Sequence, residues 1–205
     1  MKKIFRAMLA LLIILSLAAC SSSKAPVAEE ATEVHATEEA TEISTVEEIA
    51  EVPTDEEVKL AYQKAVEAYS WFDLTTMSFD VNSRIEYNGD IYMKVNHDSI
   101  KSKSDLEAYL RTLFSDKIVD SLLETNRYID IDGALYAMPA DRGANIFAGE
   151  EHHKIIRESD KKIIYEVTVD ILDENFEKVV DQEVYSFSYE LIEGKWVFTN
   201  FSLVW

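Results

Sequence analysis

The chain is poor in cysteine, glycine, proline and positive charge. One Cys in 205 residues excludes an internal disulfide framework, a Cys-rich zinc site and a protein-bound iron–sulfur cluster. Five Gly, none in a G-x-G-x-x-G or G-x-x-x-x-G-K-[ST] arrangement, leave no phosphate-cradling loop. Twenty Lys and Arg stand against 39 Asp and Glu, a formal charge of −19. Nucleic acid is therefore not expected as a partner, because phosphate binding needs clustered cations. About 200 residues allow one ordinary domain plus extensions, not a large multidomain enzyme.

What is present begins with an address. Met1-Lys2-Lys3-Ile4-Phe5-Arg6 carries three positive charges, and residues 7–17 are apolar except for Ser16. This pattern reads as a secretory leader, too short to span a membrane as a helix. It closes on Leu17-Ala18-Ala19-Cys20, which resembles a bacterial lipobox. Residues 1–19 are thus expected to be a lipoprotein signal peptide, with Cys20 lipidated on its thiol and amine after cleavage. Several lipid chains on one residue anchor firmly without a transmembrane helix. The expected location is the extracytoplasmic face of the bacterial membrane, with the sole thiol consumed by the anchor.

Residues 21–57 hold twelve acids and one base, Lys24, with no aromatic residue and no Gly. Ala-Thr-Glu recurs at 31–33, 36–38 and 40–42. Such a stretch cannot bury enough surface to offset the entropy of ordering. Residues 20–53 read as the lipidated Cys and an acidic disordered tether; a Glu/Ala helix is the competing reading. Composition then shifts: all ten Tyr, all three Trp and eight of nine Phe lie beyond Thr54. Residues 54–205 are long enough for one good core.

Thr54-Asp55-Glu56-Glu57 has the form of a capping box. Val58, Ala61, Ala65, Tyr69 and Phe72 follow at helical spacing, predicting a helix over about 55–71. A second box, Ser104-Asp105-Leu106-Glu107, predicts another helix, and Ser115-Asp116 a short third. Asn88-Gly89 and Asp132-Gly133 each lie between apolar runs and predict type I′ hairpins. Ile163, Tyr165, Val167, Val169 and Ile171 alternate on one expected strand, Tyr185, Phe187, Tyr189 and Leu191 on another. Glu193-Gly194 turns into a last strand from Lys195 to about Val204. Helices first and strands afterwards, without βαβ alternation, predict a single α+β domain with its N-terminal helices packed on a curved antiparallel sheet. Cone-shaped folds of the nuclear-transport-factor type and cystatin-like folds share this order, by analogy alone.

Few constellations suggest chemistry. His152-His153 invites a metal reading, but neighbours on a strand point to opposite faces, and solvated loop positions explain them better. His97 and His35 are distant in sequence. Asp130-Ile131-Asp132-Gly133 lacks the further oxygen ligands of a calcium loop. No G-x-S-x-G elbow or S-x-x-K nucleophile with lactamase-like partners is present. No spacing singles out a catalytic carboxylate pair. No catalytic residue, metal or cofactor is therefore assigned. The longest irregular stretch runs from Ala137 to His153, and long irregular segments are often functional. Its exposed charges Asp141, Arg142, Glu150 and Glu151 are the candidate partner-binding residues. A turn with a local ion pair at Asp141-Arg142-Gly143, with Ile146-Phe147 docked in the core, is the plainer reading of that stretch.

Several stretches together carry a resemblance. They are Ala68-Tyr69-Ser70-Trp71-Phe72-Asp73-Leu74-Thr75-Thr76-Met77, Leu113-Phe114-Ser115-Asp116, Asp132-Gly133-Ala134-Leu135-Tyr136, Ala140-Asp141-Arg142-Gly143 and Gly194-Lys195-Trp196-Val197-Phe198-Thr199-Asn200-Phe201. Over about residues 58–205 the chain resembles the DL-endopeptidase inhibitor (IseA-like) family, secreted and lipid-anchored proteins of Gram-positive bacteria. The resemblance implies a non-enzymatic, monomeric binding domain that holds a papain-like cell-wall endopeptidase as its protein partner and restrains autolysis. The acidic lipid-anchored tether departs from the plain secreted inhibitor. A small-ligand-binding or enzymatic domain on a cone-like α+β fold is the alternative. An enclosed pocket with convergent polar groups would favour the alternative; a filled cone with a protruding loop would favour the inhibitor.

Overall fold

The computed structural model describes residues 51–204. The leader, Cys20, His35 and most of the acidic segment lie outside the described residues. The expected α+β class holds, built from three helices and two antiparallel sheets where one was expected.

Helix α1 spans Asp55–Asp73 and opens on the expected capping box: Thr54 Oγ1 accepts from the Glu57 amide while the Glu57 carboxylate accepts from Thr54 N–H. Three acids in its first turn suit the positive end of the helix dipole. The docked chain begins upstream of the expected boundary. Arg157 Nη2 donates to Pro53 O at 2.8 Å and to Asp55 Oδ1 at 2.6 Å, and Trp196 Nε1 donates to Glu51 O at 3.1 Å.

The first sheet follows in strand order β1-β2-β4-β3. Strands β1 (Ile85–Tyr87) and β2 (Asp90–Lys94) form the Asn88-Gly89 hairpin. Strands β3 (Tyr128–Ile131) and β4 (Ala134–Ala137) form the Asp132-Gly133 hairpin. Both turn pairs have positive φ, 55° and 92° in the first and 53° and 75° in the second, as a type I′ turn requires. Between the hairpins lie α2 (Lys103–Leu110) and α3 (Asp116–Glu124). The capping box of α2 is not Ser104…Glu107 but Ser102…Asp105, two residues earlier. Asp105 is short enough to fold back on the Ser102 and Lys101 amides, at 2.9 and 3.0 Å, while Ser102 Oγ caps the Asp105 amide at 3.1 Å. Arg111 ties α2 to α3 through Glu107, Asp116 and Asp120.

The second sheet is the expected meander, in order β5-β6-β7-β8, and it curls into a half-barrel. Its strands are β5 (Ala148–Ser159), β6 (Lys162–Leu172), β7 (Val179–Ile192) and β8 (Lys195–Phe198). The inner face of β6 carries Ile163, Tyr165, Val167 and Val169, all buried. Ile171 is only half-buried, because the β6–β7 register shifts between Ile171 and Leu172. Strand β8 stops at Phe198, well short of Val204. Past that point the Asn200 side chain takes over the ladder, donating to Ser186 O at 2.7 Å and accepting from Ser188 N at 2.6 Å. Phe201 is thereby free to enter the core.

The half-barrel is filled by rings. Phe201 lies within 4.8–5.9 Å, centroid to centroid, of Phe187, Phe198, Phe114, Tyr69 and Tyr62. Buried Val58, Tyr62, Ala65 and Ala68 form the α1 stripe that faces this core. Tyr128 ties β3 to the C-terminal end of α1. Its hydroxyl donates to Trp71 O at 3.1 Å and accepts from Met77 N at 2.9 Å, both in buried surroundings. Tyr128→Phe keeps the ring and orphans two buried backbone groups. It is expected to cost about 1–3 kcal/mol, read as a lower urea midpoint with an unchanged m value.

Candidate functional site

The β4–β5 connection, residues 138–147, is the irregular segment that the sequence marks out, and it is fixed at both ends. At its start Met138 N donates to Arg127 O at 2.8 Å. At Arg142 it is bound to the C-terminal end of α1. The Arg142 amide donates to Leu74 O at 3.0 Å, and its guanidinium grips Asp73 with Nε to Oδ1 at 3.1 Å and Nη2 to Oδ2 at 2.6 Å. Two parallel bonds of this kind define orientation as well as distance. The ion pair is therefore long-range, not the local turn pairing that the sequence suggests. Arg127 reinforces it, donating to Phe72 O at 3.1 Å and to Ala140 O at 3.4 Å.

The electrostatics explain why the loop docks there. Helix α1 has no base in its last turn and ends on Asp73, an acid at the negative end of the dipole. Arg142 and Arg127 supply the missing positive charge from elsewhere in the chain. The hydrogen bonds from Arg142, with its charge and that of Arg127, hold the Asp73 carboxyl below the usual carboxylate range.

The far end of the loop is pinned to the β6–β7 turn. Asn145 Oδ1 accepts from Phe147 N at 3.0 Å, and Phe147 O accepts from Leu172 N at 2.8 Å. The Phe147 ring stacks on Phe176 at 5.6 Å and 14°. Phe176 has a φ of 59°, uncommon for a bulky side chain, within a turn closed by the Asp173 carboxylate on the Glu177 and Lys178 amides. The result is an apolar tip: Ile146 is 68% exposed, Phe176 53% and Val179 52%. Ile146 is therefore not docked in the core as the plainer reading had it, and the tip was missed because Phe176 and Val179 lie about thirty residues beyond the loop, with no local pattern joining them to Ile146.

The four charged candidates do not form one patch. Asp141 is exposed beside the Arg142 anchor. The expected irregular stretch also ends earlier than His153, since β5 begins at Ala148. Glu150, Glu151, His152 and His153 are strand residues, not loop residues. Their polar run has no alternation of its own and becomes a strand by pairing with the Ile- and Val-rich β6. Glu150 is exposed at the irregularity between Ala148 and Glu151. Glu151 points the other way, toward α1, with its carboxylate 3.5 Å from His153 Nε2. The level of Tyr62 on α1 is about 16 Å from Asp73 at 1.5 Å per residue. The two His diverge: His152 Nε2 approaches Asp170 Oδ2 at 3.3 Å, while His153 packs against Tyr62 and Tyr165. Asp170 also accepts from Gln182 Nε2 at 2.7 Å.

A groove of about 380 Å³ opens where Glu151 and His153 meet α1, walled by Lys59, Gln63 and Val66 and floored by Tyr62 and Tyr165. The Tyr62 hydroxyl is buried and has no hydrogen-bond partner among the described residues. Such a group costs roughly 1–3 kcal/mol. Burial foremost, with the Glu151 charge adding to it, raises the Tyr62 phenol well above its usual range and the Tyr165 phenol to about 12. Among the described residues no group of three or more His, Cys, Asp or Glu is placed to hold a metal ion, and no helix is long and apolar enough to cross a membrane.

Comparison with known proteins gives one finding. The family model described as IseA DL-endopeptidase inhibitor matches residues 50–202, most of the chain. No curated protein matches it.

The Arg142 anchor is testable through pH. A carboxyl with a lowered pKa adds stability that is present above the ordinary Asp value and lost as pH falls through the folded value. Arg142→Ala is expected to lower stability at pH 7, and the gap to the wild type is expected to close as the solution is acidified below the ordinary Asp pKa of about 3.9. Denaturant midpoints across pH 2–7 check this, and faster amide exchange over residues 143–146 in the variant would report the released loop.

Proposed function

The chain belongs to the IseA DL-endopeptidase inhibitor family, and from that premise we propose that it is a lipid-anchored, extracytoplasmic inhibitor of a papain-like cell-wall DL-endopeptidase. It works as a non-enzymatic binding protein and is held to the membrane through Cys20. The observation that carries this reading is the pinned loop 138–147 with its apolar tip. A loop fixed at both ends loses little entropy on binding, so its contacts go into affinity. Exposed Ile146, and Phe176 stacked on its chain neighbour Phe147, are the kind of groups that fill a pocket on a partner, while exposed Asp141 supplies charge on the same loop. The rings that fill the half-barrel also favour the inhibitor over an enclosed ligand chamber. The acidic surface steers association with a basic enzyme face.

Ile146→Ser is expected to raise the inhibition constant at least thirtyfold, about 2 kcal/mol for one interfacial hot spot, without moving the denaturant midpoint. Asp141→Ala is the cleaner charge variant, because Arg142 also holds α1. It is expected to weaken inhibition modestly, chiefly through slower association, and added salt is expected to slow the wild type in the same sense. Inhibition constants at two salt concentrations against a papain-like cell-wall endopeptidase check all three. Unchanged inhibition by the Ile146 variant would remove the tip from the mechanism. For the anchor, Cys20→Ser is expected to move the protein from the membrane fraction to the soluble one. A variant still membrane-bound after a high-salt wash would rule the lipid out.

A further inference from the structure

We propose that the groove between α1 and β5 binds a short zwitterionic peptide. Its volume of about 380 Å³ lies at the small end of the usual range for ligand sites, roughly 300–1,000 Å³. Opposite charges stand on opposite walls. On α1, Lys59 and Gln63 offer an ammonium and an amide; on β5, Glu151 offers a carboxylate. The ammonium of Lys59 is held at 3.0 Å by Glu56, an exposed partner at the surface, so an incoming carboxylate competes with a weak, screened pair.

The floor carries the second indication. Tyr62 cannot swing its hydroxyl into water, because its ring is stacked on Tyr165 at 4.2 Å and 20° and lies 5.8 Å from Phe187. A phenylalanine would fill the same space without stranding a polar group. The hydroxyl is closed off from the groove in this arrangement, so a ligand completes it only by drawing a wall side chain such as Glu151 or His153 aside. Val66 gives a small apolar side chain a wall. Strand β5 is also the free edge of its sheet: among the described residues no strand pairs with its outer side. Its free backbone groups can hydrogen-bond an extended peptide, as in strand-addition recognition.

The charge pattern selects among occupants. A simple anion meets Glu151 and the acidic surface; a simple cation meets Lys59; a neutral molecule engages neither wall. A short peptide with both termini free satisfies both. Hydrolysis of a peptide bond makes this chemistry: the C–N bond breaks, the hydroxyl of water goes to the carbonyl carbon and its hydrogen to the nitrogen, and at neutral pH one new carboxylate and one new ammonium result. Products of the inhibited enzyme are therefore a source of the ligand. That source rests on the inhibitor reading, whereas the site rests on the groove geometry.

The test titrates L-alanyl-L-alanine into the full chain by calorimetry, alongside its N-acetylated and C-amidated forms. Saturable binding is expected, with each blocked form at least tenfold weaker. Glu151→Gln is expected to erase the preference for the free amine and Lys59→Met the preference for the free carboxylate. Tyr62→Phe is expected to weaken binding at least fivefold while keeping or raising the melting temperature, which separates a ligand role from a packing role. No saturable binding, or equal binding of free and blocked peptides, overturns the proposal. Binding without inhibition of any endopeptidase keeps the site and removes the product-peptide source.

Discussion

The fold depends on how the C-terminal end of α1 is closed. The last carbonyls of a helix have no partner inside it, and in a buried position each needs one. Here every closing group comes from elsewhere except the helix's own turn: Ser70 O takes the Leu74 and Thr75 amides, Trp71 O the Tyr128 hydroxyl, Phe72 O the Arg127 guanidinium and Leu74 O the Arg142 amide. Asp73, unfavourable at this end of the dipole, becomes the feature that holds Arg142. One helix end thus fixes the β3 strand, the β4–β5 loop and the segment leading to Met77. The β4–β5 loop is anchored by the same bonds that complete the helix, so its position follows from the core.

The second constraint is the curled sheet and what fills it. The long β6–β7 pairing runs past the core, so that the far end of β7 stands in solvent while its near end packs on Phe198 and Trp196. The overhang creates the apolar tip, because Phe176 and Val179 sit where there is no core to cover them. Inside the half-barrel, Phe201 packs against its neighbouring rings at 4.8–5.9 Å, centroid to centroid. The two proposed surfaces lie elsewhere: the exposed tip at the loop 138–147, and the groove between α1 and β5.

These two surfaces have different physics. The tip is apolar and pinned, which suits the proposed insertion into another protein. The groove is concave, with charges of both signs and a stranded hydroxyl, which suits a small polar ligand. Glu151 belongs to the groove and Asp141 to the loop, although both come from one short stretch of chain. The bulge at the start of β5 and the reversal of side-chain direction along a strand separate them.

Local features of the fold were legible in the sequence, because they depend on neighbours in the chain. The α1 capping box, the two type I′ hairpins and the alternation of β6 each rest on residues a few positions apart, and each appears as expected. The position of the α2 cap was less legible, since Ser102 and Ser104 both offer a hydroxyl and only the reach of the Asp105 carboxylate decides between them. Strand β5 was not legible: a run such as Glu150-Glu151-His152-His153-Lys154 has no period, and it becomes a strand because β6 pairs with it. The composition and spacing of this sequence determined an acidic α+β domain without a cofactor motif, and its segments carried the family likeness. Only the tertiary structure decided that Arg142 faces Asp73, that Phe176 meets Phe147 and that the Tyr62 hydroxyl has no partner among the described residues. Those relations join residues far apart in sequence, and long-range electrostatics and packing become specific only when the chain has closed on itself.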